Sequence, residues 1–145
     1  MSAQKKIRRG FTLIELLITI AIIGILSAAV LVGINPIQKL NQANDSKAKS
    51  DVGQIATAMQ SYFTSNQSFP TTAQGTAQLA TYNELKVVPV APTGYTYTYT
   101  ACTTAPCTAF SMGSTLKAPV TAGSVWCFRS AAGVAAEAVP SNCVP

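Results

Sequence analysis

The chain has 145 residues, a formal net charge of +5 and no histidine, which excludes His-based catalytic triads, His-ligated metal centres and the usual near-neutral proton shuttle. Four of its ten basic residues, Lys5, Lys6, Arg8 and Arg9, stand in the first nine positions. Beyond Gly10 six basic residues face five acidic ones, so the body is close to neutral and offers no concentrated basic face to nucleic acid.

From Phe11 to Ile34 runs a stretch of 24 residues with one charge, Glu15, and only Thr12, Thr19 and Ser27 as polar interruptions. As a helix it spans about 36 Å at about 1.5 Å per residue, against a hydrocarbon core of about 30 Å. The four cations ahead of it predict a cytoplasmic amino terminus and put the rest of the chain outside. Ser27, Ala28 and Ala29 imitate a signal-peptide cleavage site, yet neither a removed signal nor a plain anchor accounts for a carboxylate in the bilayer. A cut between Gly10 and Phe11 would account for it. Phe11 would then carry a free amine one helical turn from Glu15, and the two charges would neutralise each other in an apolar setting. The spacing allows that pair within one chain or between neighbouring chains, where it would set a register.

The run "KKIRRGFTLIELLITIAIIGILSAAV" (Lys5 to Val30) resembles the class III leader and N-terminal helix of type IV pilins and of the pseudopilins of type II secretion and competence systems. The resemblance implies a prepilin peptidase that cuts between Gly10 and Phe11 and methylates the new amine, giving N-methyl-Phe11. It also implies that Glu15 complements the terminal amine of a neighbouring subunit during assembly. On this reading residues 1–10 are a cleaved leader, 11–35 the transmembrane and filament-core helix, 36–66 its amphipathic half and 67–145 a small β head.

Asn35-Pro36 predicts a kink or a melted turn, because proline lacks the helix N–H and disfavours α geometry at the residue before it. Gly24 and Gly33 are further weak points or places of close helix approach. The pattern resumes at Ile37 and Leu40 and turns polar from Asn41 to Asp51, where Lys47 and Lys49, with Lys39 before them, read as a solvated face. Val52, Ile55, Ala56, Met59, Tyr62 and Phe63 then recur at helical spacing and predict a stripe packed on the head. "TSNQSFPTT" predicts the helix end near Ser65-Asn66, so Phe11 to Thr64 reads as nearly continuous helix.

In the head, Ala77 to Lys86 reads as a short helix or an extended connector. Tyr95, Tyr97 and Tyr99 alternate with Thr96, Thr98 and Thr100, the period of a strand with two different faces. The tyrosines read as core or as packing between heads in preference to a sticky ligand face. Further strands are expected at Thr108 to Leu116 and Ser124 to Ser130. The fold class is therefore α+β and type IV pilin-like, with a small antiparallel sheet of about three strands on the long helix. The proline-then-tyrosine passage before the first strand loosely resembles that of pseudopilins but lacks the acidic cluster of the calcium-binding members, so no calcium site and no cofactor are expected.

All four cysteines fall in the last third, on the exported side, and read as two disulfides in an oxidising compartment. Four cysteines allow three connectivities. Cys102 and Cys107 flank a short "TTAP" turn and Cys127 with Cys143 would tie a strand to the tail, which favours those two pairs. A four-cysteine zinc site lacks close CxxC pairs.

The expected function is structural. The chain would be a homo-oligomeric subunit of an extracellular type IV pilus, stored in the bacterial inner membrane as a single-pass precursor with its head outside. Prepilin peptidase, the assembly machinery and membrane lipid would be its partners, with no specific nucleic acid. The alternatives are a pseudopilin of a type II secretion or competence DNA-uptake system, or a minor pilin with an adhesive or DNA-binding head. No enzymatic activity is expected.

Overall fold

The computed structural model describes residues 10–145, so the basic residues of the expected leader lie outside the described residues. The described chain forms two compact units, one through Lys39 and one from Leu40 to Pro145. In order, the helices are α1 (Leu13–Ile34), α2 (Pro36–Asn66) and α3 (Ala77–Thr81). They are followed by strands β1 (Tyr97–Ala101), β2 (Phe110–Thr115), β3 (Val125–Arg129) and β4 (Val134–Ala138), and by a short 3-10 turn, Pro140–Asn142.

In the first unit, α1 begins at Leu13, two residues later than Phe11, because Thr12 is its N-cap. The Thr12 hydroxyl accepts the Glu15 amide at 3.3 Å, and the Glu15 carboxylate accepts the Thr12 amide at 2.9 Å, a reciprocal capping box. The helix stops at Asn35, which takes a left-handed φ of 46° that asparagine tolerates better than most residues. Pro36 then occupies the first position of α2, where its missing N–H costs nothing, and the Asn35 side chain accepts the Gln38 amide at 3.4 Å. In place of one helix from Phe11, the chain thus has two, and residue 35 separates them.

In the second unit, α2 buries Val52, Ile55, Ala56, Met59 and Tyr62, the stripe that the spacing predicts, with Phe63 half-buried beside it. The buried face also continues backwards through Asp45, Ala48 and Asp51, inside the segment that reads as simply polar. The end of α2 at Asn66 is set by Gln67, whose φ of 55° is left-handed and whose amide donates to the Phe63 carbonyl at 2.7 Å. The expected connector after Ala77 holds one short helix, α3, which sends Leu79 fully into the core.

The sheet is an antiparallel meander in the order β1-β2-β3-β4. This is the expected α+β, pilin-like architecture with four strands where about three were predicted. The strand that was missed, "VAAEA" at Val134–Ala138, has small residues in place of the β-branched and aromatic alternation that marks a strand. It forms because a tight turn returns the chain to β3. Gly133 supplies a φ of 65° there, and its amide donates to the Arg129 carbonyl at 2.9 Å.

One end of the core is aromatic, with Phe63 stacked on Phe69 at 4.6 Å between ring centres and Phe110 against both Phe69, at 4.7 Å, and Phe128, at 5.6 Å. Cys102 bonds to Cys107 across the β1–β2 connection, and Cys127 of β3 bonds to Cys143 of the tail. The second bridge passes over β2 at Gly113, where a Cβ would lie 3.1 Å from the Cys143 sulfur; only glycine leaves that crossing unobstructed. Met59 is completely buried, so Met59→Ala is expected to lower the unfolding free energy by about 3 kcal/mol, read from the urea midpoint of the purified chain.

Candidate functional site

Two places carry the chemistry that the sequence leads one to look for. The first is the start of α1. Gly10 and Phe11 precede the N-cap in exposed, non-helical backbone, which is how a peptide bond must be presented to a protease. Glu15 sits one turn inside the helix, and its Oε2 accepts both the amide and the hydroxyl of Thr12 at 2.9 Å. The carboxylate is therefore held at the end of the helix nearest Phe11. The whole of α1 is 22 residues long, with none buried, and is long and apolar enough to cross a membrane by length and composition. Thr19 within it donates its hydroxyl to the Leu16 carbonyl at 2.8 Å, which satisfies that hydroxyl within the helix. Asn35 and Pro36 stand where α1 ends and α2 begins.

The second place is the start of the packed part of α2, where acids meet tyrosines. Tyr95 donates its hydroxyl to Asp45 Oδ1 at 2.6 Å, Tyr97 to Asp51 Oδ2 at 2.6 Å and Tyr99 to the Pro70 carbonyl at 2.6 Å. The alternation thus marks one face turned inward, with each phenol ending on an acceptor. Burial, and then the hydrogen bond and charge of Asp45, push Tyr95 up to about 12. Burial, then Asp51, raises Tyr97 as well. All three are neutral hydrogen-bond donors at physiological pH.

Asp45 also accepts the amides of Lys117 at 3.0 Å and Ala118 at 2.8 Å. Burial raises its carboxyl, but the Lys117 amide, the Tyr95 hydroxyl and the Ala118 amide outweigh that and hold it below the usual carboxylate range. Glu137 on β4 has the same balance. Burial raises it, while the Thr121 and Val120 amides, the Ser124 hydroxyl and Lys49 lower it further. Asp45, Asp51 and Glu137 are the residues that sequence reasoning missed. A signal for the first two existed, since Asp45, Ala48, Asp51 and Val52 lie on the helical face that carries Ile55 and Met59.

Two lysines expected on a solvated face are engaged. Lys47 donates to Asp51 at 2.6 Å and to the Val90 carbonyl at 3.2 Å. Lys49 lies 3.4 Å from Glu137 and 4.7 Å above the centre of the Trp126 ring, so it packs against the sheet. Among the described residues no group of three or more His, Cys, Asp and Glu side chains is placed to hold a metal ion.

With that geometry in place, comparison with known proteins adds two family matches. Residues 5–31 match the family described as prokaryotic N-terminal methylation motif, and residues 35–121 match the family described as type II secretion system protein G. Several curated relatives share one name, type II secretion system core protein G. The one from Pseudomonas aeruginosa is 34% identical over 125 residues, 77% of this chain and 87% of its own length. The one from Escherichia coli is 34% identical over 103 residues, 62% of this chain and 70% of its own. The one from Vibrio cholerae is 33% identical over 110 residues, 66% of this chain and 74% of its own.

Because Asp45 and Glu137 are held below the ordinary carboxylate value of about 4, the stability they contribute is present above that pH and is lost as pH falls through their lowered values. The thermal midpoint is therefore expected to hold from about pH 7 to about pH 5 and to fall below about pH 4, in melts followed by circular dichroism.

Proposed function

The chain belongs to the type II secretion system protein G family, and from that premise we propose that it is a pseudopilin, the repeating structural subunit of a helical pseudopilus that serves protein secretion. This replaces the extracellular type IV pilus that the leader first suggested. The observation that carries the reading is the family match over residues 35–121, because that region lies beyond the leader and helix common to all such filaments. Adhesive and DNA-binding heads have no comparable support.

The subunit begins as a membrane precursor. Its leader, residues 1–10, faces the cytoplasm, residues 11–35 cross the inner membrane and the head of residues 67–145 emerges on the far side, joined by the amphipathic residues 36–66. Prepilin peptidase cuts between Gly10 and Phe11 and methylates Phe11. The cut places a charged amine beside the Thr12–Glu15 capping box, where Glu15 meets the amine of the neighbouring subunit. Pairing of opposite charges in an apolar setting is what makes the acid tolerable there, and it sets the register between helices. When the subunit leaves lipid, 22 uncovered residues of α1 must be covered by other copies, and that burial is the driving force for the filament core. The secretion machinery supplies energy and direction.

Mass spectrometry of the mature protein is expected to find N-methyl-Phe11 at its amino terminus; a chain retaining residues 1–10 would overturn the processing step. Glu15→Gln is expected to be cut normally yet recovered poorly in sedimented filaments, and wild-type recovery would refute the pairing. Deleting the gene should abolish export of folded proteins while leaving surface pili intact, whereas loss of surface pili with normal export would return the chain to the pilus reading.

A further inference from the structure

The connection from β2 to β3, residues 116–124, has no regular structure and no acidic residue, so its backbone N–H groups need partners from elsewhere. They find them in two carboxylates distant in sequence. Lys117 and Ala118 donate to Asp45 of α2, at 3.0 and 2.8 Å; Val120 and Thr121 donate to Glu137 of β4, at 2.9 and 3.4 Å. The residue between the two pairs, Pro119, has no N–H to satisfy. Every amide from Lys117 to Thr121 therefore ends on one of two acids, one on each side of the proline.

Calcium-binding pseudopilins use an acidic cluster, and a calcium ion takes six to eight oxygen ligands. The groups gathered at this loop do not fit such an ion, because donors converge here where a cation needs acceptors. Asp45 Oδ1 already takes the Tyr95 hydroxyl and the Lys117 amide, and its Oδ2 takes Ala118. Glu137 Oε1 faces the Lys49 ammonium at 3.4 Å, and its Oε2 takes Val120, Thr121 and, at 3.1 Å, the Ser124 hydroxyl. The Thr121 carbonyl accepts both the amide and the hydroxyl of Ser124. A cation entering this cluster would displace amide donors and meet the positive charge of Lys49.

We propose that Asp45 and Glu137 form an internal anionic anchor that folds residues 116–124 without any divalent cation, so that this head holds its β2–β3 loop independently of calcium. The helix supplies one end of the anchor and the edge strand the other, and the loop is stretched between them with Val120 turned out to solvent, 93% exposed. Two loop amides end on each acid, so the charges that hold the loop are built into the chain.

The test uses the full chain purified in detergent. Its thermal midpoint is expected to be the same in EDTA and in about 1 mM calcium, whereas a calcium site filled to a hundredfold over its dissociation constant would raise it by about 10 °C. Hydrogen exchange read by NMR is expected to quicken about tenfold or more at Val120 and Thr121 in Glu137→Ala, and at Lys117 and Ala118 in Asp45→Ala, with the aromatic end of the core unchanged. A midpoint that rises with calcium and drops with EDTA would overturn the proposal. So would unaltered exchange in Glu137→Ala, which decides the matter alone if Asp45→Ala does not fold, because Glu137 sits on an edge strand.

Discussion

An apolar helix with no residue buried cannot remain in water, and this constraint divides the chain. By length and composition α1 is fit to cross a membrane, while the buried core of the chain lies after Lys39. The same constraint explains the position of Glu15. A carboxylate deep in such a helix would be untenable, but at its first turn the Thr12 amide and hydroxyl receive it, and the bond expected to be cut lies within a turn.

The head solves a second problem, that of packing one long helix on a small sheet when the helix is apolar over only part of its length. From Val52 to Tyr62 the contact is ordinary hydrophobic burial, closed by the cluster of Phe63, Phe69, Phe110 and Phe128. From Asp45 to Asp51 it is polar, with acids fully provided with donors from Tyr95, Tyr97, Lys47 and the β2–β3 loop. A buried acid is costly alone and tolerable when each oxygen has a donor, and among the described residues no buried side-chain polar atom lacks a partner. The two disulfides then fasten the segments with least core of their own, the β1–β2 connection and the tail.

Membership of a family and the role within it came from different parts of the chain. The leader and first helix match the N-terminal methylation motif, which pilins and pseudopilins have in common. What separates them is the region from residue 35 onward, and there the match is to the secretion system's protein G. The leader fits either filament, and the region from residue 35 onward fits the pseudopilin alternative better than the type IV pilus.

Patterns that depend on near neighbours were decided by the sequence alone. Those are the membrane-length apolar run, the lone acid one turn after Phe11 and the helix end near Asn66, set by composition and turn-forming residues, and the stripe from Val52 to Phe63 and the alternating tyrosines, set by periods of about 3.6 and 2. Tertiary structure decided whatever depends on a partner far along the chain. Asp45 and Asp51 look solvated until Tyr95, Tyr97 and the loop at Lys117 arrive against them, 46 to 73 residues later. Strand β4 has only Val134 as a strand-forming side chain and pairs along the free edge of β3, and the pairing of Cys127 with Cys143, one of three connectivities possible for four cysteines, brings the tail over β2 at Gly113. The helical face on which Asp45 and Asp51 lie is a local pattern, but their hydrogen-bond partners belong to the assembled surface and have no local signal.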